Sequence, residues 1–191
     1  MEIKSDITCR GNTWYQVGQG YGYNEKPIFF KTFWATFKLC IAIGILYDKQ
    51  LDDEENADED EKMTVPRTMF NRHSGEMQFF FQSAILSSKC VDLSEKDRLY
   101  LAFSEDISEE EMEGEDYETL TKDVTDAALN FDKVGFLKKF ANYGATRMLE
   151  SLADNEAETM ENLAIFLVDS YKGDTDELAQ IADVEELIEE I

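Results

Sequence analysis

The chain has 191 residues, about one domain's length, with 43% apolar and 12% aromatic side chains, enough to bury a core and to exclude global disorder. Forty-two acids against 18 bases leave a net charge of −24. A surface this acidic repels duplex nucleic acid and anionic membranes, so direct nucleic-acid binding is excluded and a basic protein surface is the natural partner; solubility alone is the plainer reading of the charge.

Residues 1–26 mix β-branched, aromatic and polar side chains in short runs, EIKSDITCR and TWYQV, then break into GQGYGYNEKP. This pattern predicts two short strands or an extended arm with a Gly-Tyr turn. Gly18, Gly20 and Gly22 are spaced G-x-G-x-G, which is not the dinucleotide fingerprint. The same stretch has no apolar leader, which predicts a protein that stays in the cytoplasm. Cys9, Cys40 and Cys90 form no C-x-x-C pair, as expected of free thiols in a reducing compartment.

Pro27 suits a helix start, and FFKTFWATFKLCIAIGILYD is apolar on nearly every face. The expectation is a buried central helix over 28–47. Its longest uninterrupted apolar run, residues 39–47, is too short to span a bilayer. An acidic loop over 48–62 follows, with eight carboxylates between Asp52 and Glu61. It lacks the glycine and ligand spacing of a calcium loop. A block of like charge repels itself and is most simply a solvated loop. Pro66 and Gly75 mark the next segment as a connection, and it holds the single histidine, His73, read as a surface residue.

Met77, Phe80, Phe81, Ala84 and Ile85 recur at helical spacing. Ser94 followed by Asp97 reads as the reciprocal cap of a further helix. A second acidic loop over 105–118 carries nine carboxylates. DKVGFLKKFANYGATRMLESLA is an amphipathic helix with Val134, Leu137, Ala141, Gly144, Met148 and Leu152 inward and Lys138, Lys139, Asn142, Arg147 and Glu150 outward. Gly144 costs such a helix about 1 kcal/mol relative to Ala, a cost explained by close approach of a neighbouring helix. A helix over EAETMENLAIFLVDSYK is expected to stop at Gly173. Residues 174–191 are expected to form an acidic amphipathic C-terminal helix, striped by Leu178, Ile181, Val184, Leu187, Ile188 and Ile191. That stripe either packs on the protein's own core or docks on a basic groove.

The segments FFKTFWATFKLCIAIG, VPRTMF, LSEKDRLYLAFSE and FLKKFANYGATRMLE resemble the small accessory proteins encoded beside Dnd-type DNA phosphorothioation genes. The matching positions are Phe30, Lys31, Thr32, Phe37, Ala42, Gly44, Val65, Pro66, Ala141, Asn142 and Gly144, within residues 28–152. The N-terminal arm, both acidic runs and the C-terminal helix depart from that pattern. The resemblance implies a helical, non-enzymatic subunit of a bacterial antiphage restriction system, and no functional residue carries over.

The expected fold is mainly α: a single-domain helical bundle with a short extended or β arm at 1–26, a helical core over 27–173 and the C-terminal helix. The sequence offers no catalytic, cofactor or metal site, which predicts a protein that is not an enzyme and needs no cofactor. The candidate partner-binding residues are Asp58 and Glu59 in the first acidic run and Leu178, Ile181, Val184, Glu185, Ile188 and Glu189 in the last helix. The expected function is an accessory or regulatory subunit that binds a basic protein, such as a DNA-binding subunit of a defence assembly. The alternative is an inhibitor that imitates DNA and occupies a basic cleft.

Overall fold

A computed structural model describes residues 1–21, 32–54, 58, 61–104 and 124–182, the side chains of 21 and 170–182 excepted. The expected loop at 105–118 thus lies outside the described residues, as do 183–191. The fold is mainly α with a two-stranded antiparallel sheet near the N-terminus. It divides into two compact units, Met1–Arg147 and Met148–Ile191, so the core expected over 27–173 spans both. Among the described residues no helix is long and apolar enough to cross a membrane.

Strand β1, Ile7–Arg10, pairs with β2, Lys62–Val65, in the register Ile7 with Val65 and Cys9 with Met63. These four side chains are buried while Arg10 and Lys62 face out, the alternation a one-sided sheet requires. The partner of β1 therefore comes from the segment read as a connection, not from TWYQV. That second stretch is instead helix α1, Asn12–Tyr21. Its β-forming residues are overruled by tertiary packing, because Trp14, Val17 and Gly18 fall on one helical face and are all buried.

The central helix α2, Phe33–Leu46, buries Phe33, Trp34, Phe37, Cys40, Ile41 and Ile43. Trp14 of α1 sits edge-on to Phe33, ring centroids 5.5 Å apart. After β2 come α3, Arg67–Arg72, and α4, Ser74–Ser87. Asp6 Oδ1 accepts from Arg67 N (2.8 Å), tying the N-terminal segment to the start of α3. In α4, Met77, Phe81, Ala84 and Ile85 are buried as their spacing predicts, with Phe80 half-buried. Helix α5, Glu95–Phe103, begins at the expected cap: Ser94 Oγ accepts from Asp97 N (3.1 Å). The turn between α4 and α5 is organised by Arg98, whose guanidinium donates to the carbonyls of Ile85, Ser88, Val91 and Leu93 at 2.6–3.2 Å. A planar fork with five donors suits this task as an ammonium does not.

A short helix α6, Asp126–Leu129, leads to α7, Lys133–Leu149. Within α7, Phe136, Leu137, Phe140, Ala141 and Ala145 are buried. Phe136 packs edge-on to both Phe81 and Phe140. The glycines explain how closely α2 and α7 meet. A Cβ on Gly144 would collide with the backbone carbonyl of Cys40, and one on Gly44 with that of Phe140. The expectation that Gly144 admits a neighbouring helix holds, and Gly44 is its counterpart.

The second unit contains α8, Glu156–Ala182. Asn155 opens it: Asn155 Oδ1 accepts from Glu158 N (2.9 Å), a side-chain cap, and its Nδ2 donates to Glu158 Oε2 (3.1 Å). Gly173, expected to end a helix, lies inside this one. A glycine stop is only a preference, and the chain continues helical through the start of the segment assigned to a separate C-terminal helix.

Candidate functional site

The polar residues of α7 were expected to face solvent. One of them, Asn142, instead sits in the core, 7% exposed. Its Oδ1 accepts from Trp14 Nε1 (2.8 Å), and its Nδ2 donates to Leu51 O (3.1 Å) and Asp53 Oδ1 (3.0 Å). One turn earlier, Lys138 Nζ pairs with Asp53 Oδ2 (2.5 Å), and Lys139 Nζ pairs with Asp52 Oδ1 (2.7 Å). The Leu51 N–H donates to the Lys139 carbonyl (3.0 Å). Glu54 accepts from Asn12 N (3.3 Å) and Thr13 Oγ1 (3.1 Å) at the start of α1, where a carboxylate complements the helix dipole. Gly11, at φ +116°, makes the turn into that helix with Glu54 against its Cα. The acidic stretch is therefore not a wholly solvated loop. Its head, Asp52 to Glu54, is laced to α1 and α7.

This seam borders an open cleft of about 550 Å³ in the first unit. Residues 3–8 form one wall, and Asp53, Asp132, Gly135, Lys138 and Asn142 contribute to the other. Cys9 lies fully buried in β1. Burial pushes its thiol up to about 12, with Lys138 opposing and Asp53 reinforcing the rise. Burial likewise pushes up Cys40. At both, burial disfavours the thiolate, the form in which a cysteine attacks or ligates. Cys90 is exposed, with its Sγ 3.1 Å from the Asp48 carbonyl; burial raises its thiol too, and Asp48 adds to the rise.

His73 Nδ1 lies 2.8 Å from Glu76 Oε1, whose other oxygen is 2.6 Å from Lys38 Nζ. Hydrogen bonds from Lys38 first and His73 second hold the Glu76 carboxyl below its ordinary range. The imidazole stacks near Trp34, centroids 5.5 Å apart. His73 is thus a surface residue joining α3 to α4. Among the described residues no group of three His, Cys, Asp or Glu side chains is arranged to hold a metal ion.

Of the candidate partner-binding residues, Asp58 is exposed. Leu178 and Ile181 lie on α8. Glu59, Val184, Glu185, Ile188 and Glu189 lie outside the described residues. The structure brings together a set that sequence reasoning missed: Trp14, Asp53, Lys138 and Asn142. Trp14 and Asn142 are 128 positions apart, and Lys138 and Asp53 are 85 apart, so no local pattern links them. The only local signal was an Asn four residues after a Lys, which reads equally well as an exposed helix face. Comparison with known proteins gave no match to any family model, curated protein or solved structure.

Proposed function

We propose that this chain is a non-enzymatic, protein-binding subunit whose partner presents a basic surface, serving as an accessory or regulatory component of a bacterial DNA-defence assembly. The observation that carries the reading is the direction of its charge. The net charge is −24, and Lys38, Lys138 and Lys139 are already paired with Glu76, Asp53 and Asp52. The charge left after these pairs is still net acidic, which steers association with basic surfaces and opposes nucleic acid. The defence setting rests on the sequence resemblance alone. Imitation of DNA is weakened as a second reading, because Asp52 and Asp53, though exposed, are paired with Lys139 and Lys138, which offsets charge that a mimic must present at phosphate spacing.

The test is affinity capture from the native host at low and high salt, followed by binding of the purified pair. Captured proteins should be basic on one face, and their association rate should fall as salt screens the charge. Capture of acidic proteins only, or direct retention of the chain on duplex DNA, overturns the reading.

A further inference from the structure

Helix α8 turns large apolar side chains to solvent. Met160, Ile165 and Val168 are each at least half exposed, and Leu167 is 41% exposed. Ala157 and Ala164 are exposed as well. Ala157, Met160, Ala164 and Leu167 follow one another at intervals of three, four and three. That is the spacing of a seam along which two helices pack knobs into holes. The same intervals continue in the sequence through Tyr171, Asp174, Leu178 and Ile181. Thr159 and Leu163 are buried, and Leu163 stands seven residues after Glu156, so the helix already has an inner side and the exposed seam runs along its border.

Charge decides what fits there. The sequence from Met148 to Tyr171 contains Glu150, Asp154, Glu156, Glu158, Glu161 and Asp169 and no Lys or Arg. Glu156 and Glu161 flank the seam, at the positions that set partner choice in paired helices. They are five residues apart, so a second copy lying parallel would place Glu156 against Glu161 of its mate. An antiparallel copy would set like positions against each other, again carboxylate against carboxylate. Self-pairing is therefore opposed, and a helix carrying Lys or Arg at the flanking positions is favoured.

We propose that the outer seam of α8, residues 157–168, docks an amphipathic helix of the partner that is apolar along one stripe and basic on both sides of it. This inference rests on the proposed reading of the chain as an acidic protein-binding subunit and assigns that reading a surface and a mode, helix against helix.

The experiment uses the full chain and three synthetic helical peptides: one with Leu along the stripe and Lys at the flanks, one with Glu at the flanks, and a scrambled Lys peptide with no stripe. The Lys peptide should bind, and the Glu and scrambled peptides should bind at least about tenfold more weakly. The double variant Met160→Gln, Leu167→Gln changes no charge and alters only exposed side chains. It should weaken Lys-peptide binding by about tenfold or more, with helix content unchanged by circular dichroism. The variant Glu156→Lys, Glu161→Lys should prefer the Glu peptide. Equal binding of the Lys and scrambled peptides, or undiminished binding by the Gln variant, overturns the seam while leaving a general acidic protein-binding role standing. Self-association abolished by the Gln variant, or capture on neutral phosphatidylcholine vesicles, would identify a different occupant and overturn it as well.

Discussion

Replacing Asn142 with Ala tests whether the seam between α1, α7 and the acidic segment holds the first unit together. The variant strands Trp14 Nε1, on a side chain only 2% exposed. A buried donor left without a partner costs about 1–3 kcal/mol. The two bonds from Asn142 Nδ2 end on Leu51 O and the Asp53 carboxylate, which is already shared with Lys138. Each contributes about 0.5–1.5 kcal/mol net, with the charged acceptor at the upper end. The expected loss is thus about 2–6 kcal/mol, a large fraction of the 5–15 kcal/mol typical of a folded domain. Urea unfolding followed by tryptophan fluorescence measures it. A double-mutant cycle with Trp14→Phe locates it. If the stranded indole dominates, the two substitutions should be non-additive by about 1–2 kcal/mol. A loss under about 1 kcal/mol, or additivity within about 0.5 kcal/mol, would refute the claim that Asn142 is a structural hub.

Gly144→Ala should destabilise by about 1–3 kcal/mol, measured by the same unfolding experiment, because the new methyl meets the Cys40 carbonyl and outweighs the roughly 1 kcal/mol that Ala gains over Gly in a helix. Gly75→Ala, where nothing lies within 4 Å, should instead stabilise by about 0.4–1 kcal/mol. Arg98→Lys keeps the charge but cannot reach four carbonyls at once, so thermal melting should show a loss of about 2–4 kcal/mol. Asp97, held below the ordinary carboxylate range first by the Thr125 N–H and also by Ser94, contributes stability above the unfolded value near 4 and loses it as pH falls through its lower folded value. The stability gap between wild type and Asp97→Asn, read from melts across pH, should therefore be full at neutral pH and close below about 4.

The helices that could be read directly were those whose signal is local. The all-round apolar run of α2, the spacing of α4 and the Ser94 cap each depend on residues within a few positions of one another. Gly144 was legible for the same reason: a glycine inside a strong helix pattern needs a neighbour to justify it. The failures share a different cause. TWYQV looks like a strand, yet Gly11 turns the chain, Glu54 receives the first N–H of the helix, and Trp14 finds its acceptor on Asn142. None of these partners is near in sequence. Strand β2 was hidden likewise, since KMTV is four residues long and its pairing mate lies more than fifty positions upstream. Asn142 was placed on the wrong side of its helix because polarity alone cannot distinguish an exposed amide from a buried one with three bonds.

Cys9 and Cys40 have a consequence for watching this protein move. One sits in the small sheet and the other where α2 meets α7, and both are 0% exposed, whereas Cys90 is open to solvent. A thiol reagent acts on the thiolate and requires access, so the two buried sulfurs can be modified only while the structure around them is open. Their labelling rates, separated by mass spectrometry, time two different openings in the native chain without any added probe. If the sheet and α1 detach as a unit before the helical core yields, Cys9 will be marked ahead of Cys40; if the first unit opens all at once, the two will be marked together. Cys90 supplies the reference for reagent delivery in the same tube.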